Sequence, residues 1–144
     1  MTIFDRSWYG RVLVERIEDF ASEEEWRRAY AEINEFEEML TDSGILLMKF
    51  WVHITKDEQL ERFKQREQIP HKQWKLTEED WRNRERWGDY AQAVHEMIKQ
   101  TSVTKSPWVL VENENKYFGR IKVLKAVCDA LEKAVQQREY EAEA

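Results

Sequence analysis

Ile45-Leu46-Leu47-Met48-Lys49-Phe50-Trp51-Val52 is a nearly continuous apolar run, broken only by Lys49 and bounded upstream by Asp42-Ser43-Gly44. A half-exposed strand alternates apolar and polar residues. A short unbroken run instead reads as a strand buried on both faces, the pattern of a parallel sheet covered by helices. Trp108-Val109-Leu110-Val111, after Pro107, repeats the pattern, and the shorter Thr2-Ile3-Phe4 reads as an N-terminal strand ending in Asp5-Arg6-Ser7.

The segments between these runs have helical spacing. Val12, Leu13 and Ile17 fall at roughly helical intervals. Ser22 followed by Glu25 is a capping box, and Glu23 and Glu24 also suit the positive end of a helix. That helix carries Trp26, Tyr30, Ile33, Phe36, Met39 and Leu40 on one face and stops at Asp42-Ser43-Gly44. Thr55 with Glu58 opens a helix from Lys56 to about Arg66, which Pro70 breaks. Thr77 with Asp80 opens another, from Glu78 to about Thr101, with Trp81, Trp87, Tyr90, Ala91, Val94, Met97 and Ile98 as its apolar stripe. A last helix from Tyr117 to about Arg138 turns Ile121, Leu124, Val127, Cys128, Leu131 and Val135 inward, and residues 139–144 are expected to fray. The alternation predicts one α/β domain over residues 1–144, with a three-stranded parallel sheet and right-handed crossovers. The helical excess over about 56–101 predicts a hairpin lid.

Composition excludes several classes. The chain has 144 residues, 42% of them hydrophobic, which suffices for one core and excludes a disordered tail. One cysteine allows no internal disulfide. No apolar run is long enough for a membrane span, and the N-terminus lacks a signal-peptide pattern, so a cytoplasmic location is expected. A net charge of −6 argues against DNA and against general nucleic-acid binding. The charge is unevenly spread: residues 15–42 hold eleven acids and three bases, whereas residues 62–75 hold five bases (Arg62, Lys64, Arg66, Lys72, Lys75) and one acid. Such a basic stretch is either a polyanion site or a solvated helix face.

In open α/β sheets, ligands bind beyond the carboxyl ends of the strands. Three groups are expected at that edge: Asp5-Arg6 with Arg11, the lid base from His53 onward, and Asn113 to Lys116 with Arg120. A carboxylate among several bases suits phosphate chemistry, in which the carboxylate holds Mg²⁺ or orients an acceptor while the bases neutralise a transferring phosphoryl group. Asp5 as a simple helix cap is the alternative.

Phe4-Asp5-Arg6-Ser7-Trp8-Tyr9-Gly10-Arg11 followed by Val14-Glu15-Arg16 resembles the signature of the type-2 polyphosphate kinases. Lys72-Gln73-Trp74-Lys75-Leu76 with Asp80 and Arg86-Trp87 resembles their lid motif, and Pro107-Trp108 and Asn115-Lys116 with Arg120 resemble their last strand and closing helix. The resemblance spans residues 3 to about 135 and is closest to the polyphosphate:AMP phosphotransferase branch. It implies a P-loop kinase fold and Mg²⁺-dependent phosphoryl transfer between inorganic polyphosphate and an AMP- or ADP-type nucleotide. Carried over, Asp5 is the metal- and acceptor-positioning aspartate, with Arg6 and Arg11 as phosphate-binding arginines beside it. Arg62, Arg66, Lys72 and Lys75 face the phosphate chain from the lid, and Trp74 is a lid aromatic that either stacks on a base or packs the hairpin. Lys116 and Arg120 are further phosphate-binding or structural positions.

The family's glycine-rich loop ending in Gly-Lys does not occur in these 144 residues, whose four glycines are isolated. In the family fold the strand before that loop lies between the strands matching Thr2–Phe4 and Ile45–Val52. The expectation is therefore a partial kinase domain, weakly active or inactive alone, that associates with itself or with the missing segment. The competing expectation is a non-catalytic polyphosphate-binding or oligomerising module.

Overall fold

The computed structural model describes residues 1–143, with side chains through Tyr140; Ala144, the end of the segment expected to fray, lies outside the described residues. A 3₁₀ helix Trp8–Val12 leads into α1 (Val14–Ile17), α2 (Glu23–Asp42), β1 (Lys49–His53), α3 (Lys56–Gln68), a second 3₁₀ helix Pro70–Lys75, α4 (Glu78–Glu85), α5 (Trp87–Thr101), β2 (Trp108–Glu112) and α6 (Lys116–Glu143). The backbone of α6 stays helical to Glu143.

The fold is α/β, but the described residues hold two strands rather than three. β1 pairs in parallel with β2, from Lys49 opposite Trp108 to His53 opposite Glu112. Thr2–Phe4 is not a strand. Strand backbone requires a neighbour to take its N–H and C=O groups, and neither strand lies beside this segment; Phe4 packs instead edge-on against the Trp8 ring at 5.5 Å.

The Ile45–Val52 run supplies a shorter strand than its composition suggests, because its first residues close the preceding helix. Gly44 has a positive φ of 83°, its N–H donates to Thr41, and the Ile45 N–H donates to Leu40. These two bonds form a Schellman cap, so pairing starts only at Lys49. Nor is the strand covered on both faces, since Val52 and Leu110 are half exposed.

The core lies where the first 3₁₀ helix, α2 and α5 meet. Tyr9, Val12, Ala21, Trp26, Ala29, Tyr30, Ile33 and Met97 form one buried cluster, flanked by Trp8, Trp51 and Trp108. The capping box opens α2 as expected, with the Ser22 N–H donating to Glu25 at 2.8 Å and the Glu25 N–H to the Ser22 hydroxyl at 3.4 Å. The inward row of α2 continues into Glu37, while Phe36 and Met39 are exposed.

The helix expected over Glu78–Thr101 is two helices. It breaks at Arg86, before Trp87-Gly88, where the Arg86 guanidinium turns away to donate to the Ile17 carbonyl. Glycine at the second position of α5 weakens any continuous helix there. Ala93, Met97 and Thr101 of α5 are buried, Met97 within the main core cluster, whereas among the described residues of α3, the second 3₁₀ helix and α4 only Phe63 is buried.

The stripe on α6 has the predicted period but is largely exposed, with Val127 half-buried. Ile121, Leu124, Leu131 and Val135 are about half or more exposed, and Cys128 is exposed as well. Periodicity specifies one apolar face of a helix; it does not specify what lies against it. Within this chain α6 packs mainly on β2 and leaves that face open.

Candidate functional site

Asp5 and Arg6 occupy the loop before the first 3₁₀ helix, and both are exposed. Among the described residues, neither side chain has a hydrogen-bond or ion-pair partner. Arg6 takes a left-handed backbone conformation, φ 65°, which costs a residue with a Cβ about 1–2 kcal/mol. That turn sets Asp5 and Arg6 side by side at the surface.

The two aromatic residues after the loop are firmly held. Trp8 Nε1 donates to Glu37 Oε1 at 3.1 Å, and the Tyr9 hydroxyl donates to the same oxygen at 2.7 Å. Glu37 Oε2 accepts from Lys49 Nζ at 2.6 Å, and Lys49 also donates to the Thr101 carbonyl at 2.6 Å. Trp108 Nε1 reaches the Thr101 hydroxyl at 2.9 Å. Burial pushes the Tyr9 phenol well above its ordinary range, and the neighbouring Glu37 carboxylate adds to the shift. Residues from five elements thus converge on one buried ion pair behind the Asp5–Arg6 loop.

Arg11, expected beside Asp5 as a phosphate ligand, is compensated by acids, with Glu15 at 3.0 Å and Glu25 at 3.8 Å.

At the carboxyl ends of the strands, the loops after β1 and β2 are tied together. The Asn113 N–H donates to the His53 carbonyl at 2.8 Å, extending the sheet by one bond. The Thr55 N–H donates to Glu114 Oε1 at 2.6 Å, and this bond is the main reason the Glu114 carboxyl is held below the usual carboxylate range. Arg62, expected to face a phosphate chain, instead reaches back from α3. It pairs with Glu58 at 2.7 Å and donates to the carbonyls of Asn113 and, at 3.2 Å, Glu114. Its side chain is 11% exposed and joins α3 to the β2–α6 loop. Gly119 makes the close approach of α6 possible: a Cβ there would lie 2.4 Å from Asn113 Oδ1.

The Pro70–Lys75 turn between α3 and α4, the expected lid segment, keeps its basic residues accessible. Lys72 is exposed and unpaired among the described residues. Lys75 Nζ lies 5.2 Å from the centre of the Trp74 ring, whose indole N–H donates to the His71 carbonyl at 3.0 Å. Trp74 is 74% exposed and therefore does not pack the hairpin interior. The interior contact is Phe63 against Trp81, rings 5.1 Å apart, with Arg66 5.9 Å over Phe63. A cleft of about 350 Å³ beside these residues is lined by Glu67, Gln73, Leu76, Thr77, Glu78 and Trp81. With two acids and no base in its lining it does not suit a polyanion, and neither Lys72 nor Lys75 lines it. At the other end, Lys116 is exposed and unpaired among the described residues, and Arg120 stacks 5.9 Å over Tyr117.

The structure therefore brings the lid base and the Asn113–Lys116 loop together, and it presents Asp5-Arg6 on an anchored turn. The elements that carry these groups are those of one family. A profile described as polyphosphate kinase 2 matches residues 1–139. The chain belongs to the polyphosphate kinase 2 family. A polyphosphate:AMP phosphotransferase of Pseudomonas syringae pv. tomato is 59% identical over 133 residues, which are 92% of this chain and 27% of that protein. A crystal structure of a polyphosphate kinase 2 from Pseudomonas aeruginosa superposes with a TM-score of 0.87 at 54% identity, covering 94% of this chain and 29% of that one. One from Arthrobacter aurescens gives 0.87 at 34% identity, covering 98% and 54%. The chain thus spans only about a quarter of the length of the curated relative it matches. Among the described residues, no helix is long and apolar enough to cross a membrane.

Sequence reasoning misses the residues that hold this family signature in place. Glu37 and Lys49 are charges inside apolar patterns, one on the α2 face and one in the Ile45–Val52 run; an acid and a base at such places are a signal for a buried pair. Arg16 is legible in the sequence only as part of a motif. Here it pairs with Glu96 at 2.8 Å and lies 3.8 Å from the Trp26 ring centre, locking α1 to α2 and α5. Arg82 pairs with Glu18 at 3.0 Å and fixes the base of α4 to the same place.

Proposed function

We propose that this chain is the acceptor-aspartate and lid portion of a polyphosphate-dependent nucleotide phosphotransferase that moves a phosphoryl group between inorganic polyphosphate and an AMP- or ADP-type nucleotide. The observation that carries the reading is the exposed, unpaired Asp5-Arg6 turn, with its left-handed Arg6, in a chain matched by the family from residue 1 to 139. The 59% identity to a protein named polyphosphate:AMP phosphotransferase favours AMP as acceptor.

In this reading Arg6 neutralises charge on the transferring phosphoryl group, and Asp5 orients the acceptor phosphate. Among the described residues no group of three or more His, Cys, Asp or Glu side chains gathers as a metal cage. Mg²⁺ seldom uses one: it commonly takes one or two carboxylates and completes its shell with substrate phosphates and water. A single free carboxylate at Asp5 fits that mode, and the ion's contribution would be charge neutralisation between phosphate oxygens. Lys72 and Lys75 hold the polyphosphate chain electrostatically from the lid, with Trp74 exposed for stacking. Lys116 adds charge from the opposite loop, and Arg66 and Arg120 add it from positions where they also cover aromatic rings. Arg62 and Arg11 act through structure, as tether and as part of an acid-paired cluster.

These 144 residues contain no glycine-rich Gly-Lys loop, the part that cradles phosphates in such kinases. We therefore infer that the chain alone is weakly active or inactive. The open faces of α6 and β1, with Ile3 and Phe4 exposed, favour association with a second copy or with a loop-bearing segment. A coupled assay of ADP formation from AMP, polyphosphate and Mg²⁺ tests the reading: the isolated chain should turn over far below the ordinary enzyme range. A turnover of about 1 s⁻¹ or more rejects the inactivity. Loss of salt-dependent polyphosphate binding on changing Lys72 and Lys75 to Ala, with no phosphoryl transfer by a folded loop-bearing chimaera, would favour the non-catalytic binding module.

A further inference from the structure

We propose that Glu37 is a positioning residue for the Asp5–Arg6 loop, acting through the two aromatic side chains just after it. The inference rests on the reading of Asp5 and Arg6 as the phosphate-handling pair. Glu37 is 1% exposed and sits on α2, twenty-eight residues from Tyr9 in sequence. One of its oxygens, Oε1, accepts from both Trp8 Nε1 and the Tyr9 hydroxyl, at 3.1 and 2.7 Å. Its other oxygen is fixed by Lys49 Nζ at 2.6 Å, with the Ser106 hydroxyl at 3.5 Å. A carboxylate held on one side is a rigid acceptor on the other.

The geometry matters because the loop has little else to hold it. Asp5 and Arg6 have no side-chain partner among the described residues, and Arg6 holds a backbone conformation that residues with a Cβ rarely adopt. An unfavourable backbone conformation persists only when its surroundings determine it. The surroundings here are the Ser7–Gly10 turn bond at 3.1 Å, the Phe4–Trp8 ring contact at 5.5 Å, and the Trp8 and Tyr9 bonds to Glu37. The Trp8 ring is further wedged edge-on against Phe36 at 4.9 Å, one residue before Glu37. Removing the bonds to Glu37 takes away the polar anchor of the two aromatic side chains, and the turn before them is held less firmly. Lys49 is the second member of the device: it sets the carboxylate and ties it to Thr101 at the end of α5.

The test uses the ¹⁵N-labelled 144-residue chain and reads backbone order at Asp5, Arg6 and Ser7. In the wild type these amides should have order parameters near the rigid value of about 0.85, and in Trp8→Phe with Tyr9→Phe they should fall below about 0.6. Those changes remove both donors; Tyr9→Phe keeps its ring, and Trp8→Phe keeps an aromatic ring against Phe4 and Phe36 at the cost of a smaller contact, so the thermal transition should persist at a lowered midpoint. Glu37→Gln with Lys49→Met keeps one acceptor oxygen without leaving a buried charge but loses the tie to Thr101, so it should loosen the loop less than removal of both donors does. A second reading is affinity for inorganic triphosphate with Mg²⁺. Trp8→Phe with Tyr9→Phe should weaken it roughly as much as Arg6→Ala, by about tenfold. Should the double aromatic variant fail to fold, Trp8→Phe alone carries the test with the same limits. A loop already disordered in the wild type, or one that stays ordered when the donors are removed, overturns the proposal. Wild-type chain that shows the order change but no triphosphate binding leaves the positioning intact and rejects the phosphate reading instead.

Discussion

The Lys49 ammonium stands 2.6 Å from the Glu37 carboxylate, with both side chains at least 96% buried, and this pair joins α2 to β1 directly behind the family signature. Breaking a buried pair by removing one partner is costly, whereas replacing both with neutral groups of similar shape is tolerated, because an uncompensated charge is the source of the penalty. Lys49→Met should therefore destabilise the chain by about 3–5 kcal/mol. Adding Glu37→Gln should recover much of that loss. Urea unfolding midpoints read both; a double variant no more stable than Lys49→Met would show that the pair is not the source of the cost.

The Arg62 guanidinium predicts a split between stability and binding. It is engaged by Glu58 and by the carbonyls of Asn113 and Glu114. Arg62→Ala should cost about 1.5–3 kcal/mol of stability, as expected for hydrogen bonds to a charged group. Its effect on polyphosphate affinity should be smaller than that of Lys72→Ala with Lys75→Ala. The lysine variant should leave the unfolding midpoint nearly unchanged and flatten the dependence of affinity on salt. Titration of polyphosphate at two salt concentrations separates the two roles, and equal losses of affinity in both variants would return Arg62 to the phosphate-binding set.

How much of this is legible in the sequence differs by element. The capping box at Ser22–Glu25, the parallel pairing of the two apolar runs, and the exposure of the lid lysines all follow from local pattern. The two-strand sheet does not follow, because whether Thr2–Phe4 pairs depends on a neighbour, not on its own propensity. Ile45 and Leu46 read as strand because they are apolar and β-prone, yet the Schellman cap at Gly44 takes the Ile45 N–H. On α6 the period of Ile121, Leu124, Leu131 and Val135 gives a face correctly and its burial wrongly. The contacts of Arg11 and Arg62 are hidden for a related reason: a motif marks a residue type, whereas its partners, Glu15, Glu25, Glu58 and two carbonyls, are a matter of tertiary geometry.

Gly119 predicts a local steric outcome. A methyl group at this position meets Asn113 Oδ1 at 2.4 Å and its Cγ at 3.1 Å, so the Asn113 side chain must rotate away from the start of α6. Gly119→Ala should gain up to about 1 kcal/mol in helix propensity and lose more than that to overpacking, which typically costs about 1–3 kcal/mol. The net effect should be destabilisation. Asn113→Ala in the same chain should reverse much of it. A stabilised single variant would mean that Asn113 moves freely.

Glu114 predicts an acid-side dependence. Its carboxyl is held below the usual range chiefly by the Thr55 N–H. A carboxyl depressed in the folded state contributes stability that is fully present above its unfolded value of about 4.3. That contribution is lost as the pH falls through the folded value. The bond between the α3 start and the β2–α6 loop should therefore hold at neutral pH and release in acid. Glu114→Gln keeps an acceptor for Thr55 but cannot titrate, so it should remove part of the slope of stability below about pH 4. An unchanged slope between about pH 2 and pH 5, measured by chemical unfolding, would place the acid sensitivity elsewhere.

The most direct test of the central claim is a chimaera in which residues 1–139 of this chain replace the matching segment of the Pseudomonas syringae phosphotransferase. With AMP, polyphosphate and Mg²⁺ it should form ADP, and Asp5→Asn should lower kcat by about a hundredfold or more without moving the thermal transition. A folded chimaera that retains its turnover within a few-fold after Asp5→Asn would contradict the assignment of Asp5 to the chemistry.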